Sequence, residues 1–245
     1  MTTRSGGFRV STFLAFAILV MGCAQPMSAV PLTLLTLNDG LGNSVSVDET
    51  GAVSGAGSFS TFTSFSSGAH KTISWSGTVG QFDLNITTGR GGTAELRPAL
   101  INLNSINAAS LGAGTLTVTF SDTGFTGMTL GGLVLAASGT ETATAVGSAV
   151  TFTAFGDPGG AIPAGTLIGS LGPFTSSSFN QTTKFANTIG ASGSLTEKVV
   201  LGFANQGEID TGFTISNVPE PTSMALLGGA LLFVGAALRR KLKKS

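Results

Sequence analysis

The chain has 245 residues, of which 42% are hydrophobic and only 10% charged, with 36 glycines, no tyrosine and a single cysteine. Twelve basic and twelve acidic residues balance over the whole chain, yet residues 30–218 carry five basic and eleven acidic residues, a net charge of −6. An acidic central region argues against nucleic acid as a partner. The single cysteine excludes a disulfide within the chain.

The N-terminal segment has the three parts of a secretory signal peptide. Two arginines precede the apolar stretch Val10–Met21, and small residues follow it. We therefore predict a signal peptide over residues 1–29, with cleavage after Ala24 or Ala29. The sequence Val-Met-Gly-Cys ending at Cys23 resembles a bacterial lipoprotein box, but methionine stands where that box has a small or branched residue. Loss of Cys23 with the signal peptide is therefore favoured over its lipidation.

Residues 30–217 are predicted to form one exported β domain. In Phe82–Ile86 and Leu116–Phe120 every second residue is apolar, which places one face of a strand on a core and the other in water. No stretch has the periodicity of an amphipathic helix, and turn residues separate the short β-prone runs. This pattern predicts an all-β fold, an antiparallel β-sandwich of which a jelly roll is one form. Examples of the predicted strands are Leu32–Leu37, Ser44–Asp48, Thr72–Ser76, Gln81–Thr87, Thr115–Ser121, Thr129–Ala136, Ala149–Phe155, Leu195–Phe203 and Gly212–Ser216.

Few residues of this domain suggest catalytic chemistry. His70 is the only histidine, whereas a zinc site or a catalytic triad needs several convergent groups. The carboxylates are scattered singly apart from Asp48-Glu49 and the pair Glu208 and Asp210, so a two-carboxylate glycosidase site is not indicated. We expect neither enzymatic activity nor a cofactor.

Two features are weak candidates for ligand binding. The loop after the first predicted strand offers oxygen atoms from Asn38, Asp39 and Asn43, as calcium prefers, but it lacks the spacing and the closing glutamate of an EF-hand. A hydrogen-bonded turn is therefore the favoured interpretation. Trp75, the lone tryptophan, would stack on a sugar if it were exposed. It shares a strand face with Ile73, however, so we expect it in the core.

Three adjacent features mark residues 218–245. A rigid motif, Val218-Pro219-Glu220-Pro221, precedes an unbroken apolar run within residues 222–238. Residues 239–245 then carry five cations, Arg239, Arg240, Lys241, Lys243 and Lys244.

The apolar run is short for a membrane span. From Met224 to Leu238 it would reach roughly 22 Å as a helix, against a hydrocarbon core of roughly 30 Å. Lysine and arginine side chains at its end extend to the headgroups and supply part of the missing length. We predict a transmembrane helix over residues 222–238 with its basic end in the cytoplasm, because cytoplasmic flanks are enriched in cations.

This combination of motif, helix and basic end resembles the PEP-CTERM sorting signal of Gram-negative bacteria. The resemblance implies that Val218–Pro221 is recognised by exosortase, an integral-membrane cysteine protease, while the helix holds the protein at the inner membrane. Cleavage near the motif would then release the domain to the cell surface or the extracellular matrix.

The resemblance also carries expectations about the role of the protein. Proteins with this signal are often associated with exopolysaccharide or biofilm, which implies a structural or interaction role; a carbohydrate-binding β-sandwich is the alternative. Residues 79–89, 100–107 and 114–125 further resemble uncharacterised PEP-CTERM exported proteins, and this second likeness adds no chemistry.

Overall fold

The computed structural model describes residues 33–66, 72–90, 99–126, 128, 132–142, 147–187 and 189–218. These residues form fourteen strands, and none of them lies in a helix that could cross a membrane. The strands are β1 (Thr33–Asn38), β2 (Ser44–Asp48), β3 (Val53–Ala56), β4 (Phe59–Ser66), β5 (Thr72–Val79), β6 (Phe82–Arg90), β7 (Ala99–Ser110), β8 (Gly114–Thr126), β9 (Leu133–Glu141), β10 (Ala149–Asp157), β11 (Thr166–Phe174), β12 (Ser178–Phe185), β13 (Ser192–Phe203) and β14 (Gly207–Asn217).

The strands form two seven-stranded sheets. Sheet A has the order β11-β10-β13-β8-β1-β2-β3, and sheet B has the order β12-β9-β14-β7-β6-β5-β4. Every pairing within them is antiparallel. One apolar core contains residues from both sheets, so the predicted all-β antiparallel sandwich is confirmed. The predicted signal peptide, transmembrane helix and basic end lie outside the described residues.

Alternation of side chains explains how the core is filled. In β10, Val150, Phe152 and Ala154 are buried and the residues between them are partly exposed. The ring of Phe152 in sheet A lies 5.3 Å from that of Phe213 and 5.8 Å from that of Phe179, both in sheet B. The phenylalanine-rich composition therefore serves to join the two sheets.

Five of the fourteen strands lie outside the runs named from the sequence, and β4 shows why. Phe59, Phe62 and Phe65 recur at intervals of three, which fits neither a regular strand nor a long helix. In the structure the segment is nevertheless a strand paired with β5 along its whole length. Phe59 packs against the core while Phe62 is 74% exposed, because an interval of three puts the two side chains on opposite faces. The other strands outside those runs are β3, β7, β11 and β12.

The first strand of the sandwich begins, and its last strand finishes, at the same end of the fold. Thr33 at the start of β1 pairs with Asp122, late in β8, and Asn217 at the end of β14 pairs with Leu133 at the start of β9. Strands β8 and β9 are consecutive, so the end of one and the start of the other meet at one end of the molecule. The segments on either side of the sandwich therefore leave from that end.

Candidate functional site

A groove lies on the outer face of sheet A, opposite the core. The strand register places Lys198 of β13 between Thr119 of β8 and Thr153 of β10, and all three side chains are partly exposed. Phe155 is the register partner of Thr196 on the same face. Three neighbouring strands thus bring a cation, an aromatic ring and hydroxyl groups to one surface.

The loop between β10 and β11 forms one wall of the groove. Its residue Ala164 donates its backbone N–H to Thr196 Oγ1 at 2.8 Å, and Ser194 Oγ donates to the carbonyl oxygen of Ala161 at 2.5 Å. The loop starts in a turn in which Asp157 Oδ1 accepts a hydrogen bond from the backbone N–H of Gly159 at 2.6 Å. The wall is therefore fixed to β13 by two buried hydroxyl side chains.

The groove has a volume of about 410 Å³, within the range of about 300–1,000 Å³ that is usual for small-molecule sites. Its lining combines two apolar side chains and one small loop residue with hydroxyl, amide and ammonium groups. The lining residues are Asn38, Thr117, Thr119, Phe155, Pro163, Ala164, Thr196 and Lys198. This mixture can hold a ligand that has both apolar faces and many hydrogen-bonding groups.

Lys198 is the only charged residue among the described residues that line the groove. Its ammonium group has no hydrogen-bond or ion-pair partner within the part of the chain that the structure describes. The hydroxyls of Thr117 and Thr119 likewise make no hydrogen bond to the described residues. These groups can therefore contact a ligand without first breaking a bond to any of the described residues.

The candidate calcium loop is a network of internal hydrogen bonds. Asp39 Oδ1 accepts from the backbone N–H groups of Leu41 at 2.8 Å and Asn43 at 3.0 Å, and Asp39 Oδ2 accepts from Asn43 Nδ2 at 2.5 Å. Asn43 Oδ1 accepts from the N–H of Ser58 at 2.7 Å, and Asn38 Oδ1 from that of Gly40 at 2.6 Å. The loop is thus the hydrogen-bonded turn favoured by the sequence, and calcium binding stays untested.

These hydrogen bonds also determine the direction in which the pKa of Asp39 is shifted. Burial on its own would raise the pKa of Asp39, but the hydrogen bonds from Asn43 and Leu41 outweigh it and hold the pKa below its ordinary value. The loop also contacts the β5–β6 turn, where Gly80 has φ of +58° and a Cβ would lie 2.3 Å from Asp39 Oδ2. The missing Cβ of Gly80 therefore lets the β5–β6 turn lie close to the Asp39 carboxylate.

The remaining candidates of the sequence fall into three places. Trp75 is 1% exposed and lies in the core, as expected, so it offers no surface to a sugar. Glu208 and Asp210 share the outer face of sheet B, where Asn107 Nδ2 donates to both carboxylates, at 2.9 and 2.6 Å. Asp48 closes the β2–β3 turn, and hydrogen bonds from Thr50 lower its pKa.

One buried carboxyl group was not singled out by the sequence. Glu197 of β13 points into the core and is fully buried. Burial raises its pKa well above the ordinary value of 4.5, although the backbone of Ile215 and Leu103 in sheet B opposes the shift by a smaller amount. Neither carboxyl oxygen makes a hydrogen bond of ordinary geometry. Burial in the core therefore favours the neutral form of Glu197 and encloses its carboxyl group away from the surface.

Among the described residues, no three His, Cys, Asp or Glu side chains lie together as a metal site requires. His70 lies outside the described residues, as do Pro219, Glu220, Pro221 and the five terminal cations. Val218 is described, and its backbone N–H donates to the carbonyl oxygen of Gly132 at 3.2 Å.

The groove was not predicted from the sequence, although two of its residues, Phe155 and Lys198, stand out in the pattern of their strands. Phe155 breaks the alternation of β10, since Val150, Phe152 and Ala154 face the core and an apolar residue then falls on the outer face. Lys198 lies in phase on the outer face of β13. The pairing of β10 with β13 brings Phe155 and Lys198 to one surface, and this pairing cannot be predicted from the local sequence of either strand.

Comparison with known proteins identifies the C-terminal region. Residues 217–241 match the family model described as the PEP-CTERM protein-sorting motif, which confirms the resemblance noted from the sequence. The match indicates an exported protein with a membrane-anchored sorting signal. The match does not extend over the β-sandwich, and none of the curated proteins matches the chain.

Several solved structures match at low similarity. TmCBM61 in complex with β-1,4-galactotriose is 9% identical with a TM-score of 0.33, over 64% of this chain and 88% of that one. Xylanase10C from Cellvibrio japonicus in complex with xylopentaose is 14% identical with a TM-score of 0.32, over 53% of this chain and 27% of that one. The xylan-binding module CBM15 is 14% identical with a TM-score of 0.31, over 65% of this chain and 98% of that one. At these values neither fold nor ligand transfers to this chain.

Proposed function

We propose that this protein is an exported substrate of an exosortase-type protease, which removes the C-terminal segment near Val218–Pro221. The inner membrane holds the chain only until that cleavage, with the sandwich in the periplasm and Arg239–Lys244 in the cytoplasm. The released sandwich then acts at the cell surface or in the extracellular matrix. There it has a structural or interaction role linked to exopolysaccharide or biofilm, without enzymatic activity.

One observation carries this proposal. The sorting-motif match starts at residue 217, and β14 ends at Asn217 after pairing with both β7 and β9. The strands of the described residues thus end before Val218, so cleavage beyond Val218 breaks no ladder hydrogen bond between them. A sorting segment that follows these strands can be removed without disturbing their pairing.

We propose that the sandwich has no enzymatic activity because its notable carboxyl groups are either buried or hydrogen-bonded. Glu197, whose pKa is raised, is enclosed in the core where no substrate reaches it. The paired Glu208 and Asp210 are bridged by Asn107 Nδ2. Neither arrangement supplies an accessible acid beside a free base, as hydrolysis of a glycosidic bond needs.

Mass spectrometry of the exported protein tests the sorting step. In a host with the protease we expect no peptide from residues 224–245 in the mature wild-type protein. Replacing Pro219, Glu220 and Pro221 by alanine should leave the tail attached, whereas replacing Thr222 and Ser223 by alanine should not. An intact tail on mature wild-type protein would refute the proposal.

A second measurement tests the location of the released sandwich. Fractionation should recover it with the cell surface and the extracellular polymer. Recovery of the processed protein from the periplasm alone would contradict the proposed surface or matrix role.

A further inference from the structure

We propose that the groove on sheet A binds an acidic saccharide, with Lys198 contacting a sugar carboxylate and Phe155 stacking on a sugar ring. This inference deepens the proposed function by naming a ligand class and a site. It depends on that function only for the place where the ligand is met.

Lys198 gives the groove a positive charge. The sandwich region has a net charge of −6, yet the charged group among the described residues of the groove is an ammonium with no acidic partner among them. A partly exposed ammonium on a sheet face can form a charge-assisted hydrogen bond with a ligand carboxylate. Lys198 therefore selects for an anionic ligand.

The surrounding groups define the rest of the ligand. Phe155 offers an apolar ring face. The hydroxyls of Thr117 and Thr119, which make no hydrogen bond to the described residues, offer both donors and acceptors. Asn38 adds an amide at the end of the groove. A sugar ring has a matching apolar face and a rim of hydroxyl groups, which a simple inorganic anion lacks.

The site needs little rearrangement to bind. Thr196 and Ser194 fasten the loop wall to β13 through buried hydrogen bonds, so the groove exists before a ligand arrives. The acidic remainder of the sandwich repels a long polyanion. We therefore expect recognition of a short stretch of sugar units rather than of the polymer's overall charge.

Calorimetric titration of the full-length protein in detergent tests the proposal. The probe is trigalacturonate, and its neutral counterpart carries hydroxymethyl groups in place of the carboxylates. We expect the acidic trisaccharide to bind at least about tenfold more tightly than the neutral one, and less tightly in high salt, because a single ammonium supplies the difference.

Matched variants locate the binding to the groove. Lys198→Gln should weaken trigalacturonate binding by at least about tenfold, Lys198→Arg should retain it, and Phe155→Leu should weaken binding of both trisaccharides. Lys184→Gln removes the same charge from an exposed position on β12 and should leave affinity unchanged. Circular dichroism of each variant confirms that it is folded.

Three results would overturn the proposal: no binding by the wild type, equal loss in the Lys184 and Lys198 variants, or no loss in Lys198→Gln. Removal of the C-terminal segment is scored separately on the same variants. A correctly processed protein that ignores trigalacturonate would refute the saccharide site alone. Failure to remove the segment would refute the sorting proposal and leave the binding result intact.

Discussion

The backbone N–H of Ala164 donates a hydrogen bond to Thr196 Oγ1 across 2.8 Å and so fixes the loop over the outer face of β13. Thr196→Val keeps the shape of the side chain and removes the acceptor. Because the buried N–H of Ala164 and the buried hydroxyl of Ser121, which lies 2.9 Å from Thr196 Oγ1, then lose this partner, we expect the free energy of unfolding to fall by about 1–3 kcal/mol. Chemical denaturation followed by Trp75 fluorescence measures this change.

Thr153→Val is the matched control for this prediction. Thr153 lies on the same face, and its hydroxyl contacts Ser170 Oγ at 3.4 Å in an exposed position. Its replacement should change the free energy of unfolding by less than about 0.5 kcal/mol. Hydrogen exchange at the Ala164 amide should accelerate only in the Thr196 variant. Equal stability of the two variants would show that the hydroxyl does not fix the loop.

Glu197→Gln should change how stability depends on pH. Glu197 keeps its proton in the folded protein above its ordinary pKa of 4.5, while the unfolded chain releases it. The folded state therefore binds more protons, and Glu197's contribution to stability falls by at most about 1.4 kcal/mol per pH unit between 4.5 and the raised pKa.

Urea unfolding of wild type and Glu197→Gln across this pH range isolates the effect. The slope should be shallower in the variant, and the variant should gain relative to the wild type as the pH rises. Glu141→Gln is a useful comparison, since burial also raises the pKa of that less enclosed residue. Identical pH dependence in wild type and Glu197→Gln would contradict a buried neutral carboxyl.

Phe152→Ala should be among the most destabilising single substitutions. Its ring contacts those of Phe174, Phe179 and Phe213, which joins the two sheets. Loss of a buried phenylalanine typically costs about 3–5 kcal/mol. Phe62→Ala removes the same group from an exposed site and should change stability by less than about 0.5 kcal/mol in a denaturant titration. Similar losses in both would argue against the aromatic junction.

Asp39→Asn tests whether the first loop needs a charge or a metal ion. The charged carboxylate accepts three hydrogen bonds, so we expect the variant to lose about 1–3 kcal/mol near neutral pH. Because its pKa is lowered from 3.8 in the folded state, this contribution disappears as the pH falls through that lowered value.

Calcium chloride separates the two roles of the loop. We expect it to leave the thermal midpoint of the wild type unchanged, because the carboxylate already accepts backbone and amide N–H groups. A rise with calcium in the wild type that is absent in Asp39→Asn would instead establish a calcium site.

The fold class followed from local alternation, whereas several strands did not. Ser44–Asp48 was predicted with its observed bounds because its period of two is regular. Strand β12 alternates poorly and is mostly exposed, so its apolar pattern is weak. The isolated Phe62 disguised β4 in a different way, because it is an apolar residue on a solvent face. A sequence shows the alternation of a strand only when one face of that strand is buried and the other is exposed.

Prediction of the groove would have required knowledge of which strands pair with each other. Lys198 and Phe155 belong to strands separated by all of β11 and β12 in the chain. The terminal motif was easier, because Val218-Pro219-Glu220-Pro221 and the segments after it are contiguous and their order alone carries the signal.

The hydrogen bond from the backbone N–H of Val218 to Gly132 holds the start of the sorting motif against the sandwich, which limits how far the motif can extend from the fold. Even fully extended, the four residues Val218–Pro221 span at most about 14 Å beyond the end of β14. Both ends of the sandwich domain leave from this end of the fold. Under the proposed sorting, a protease that cuts at the motif would therefore work within about 14 Å of the folded sandwich, and the shape of that end would help to decide whether the protease can enter.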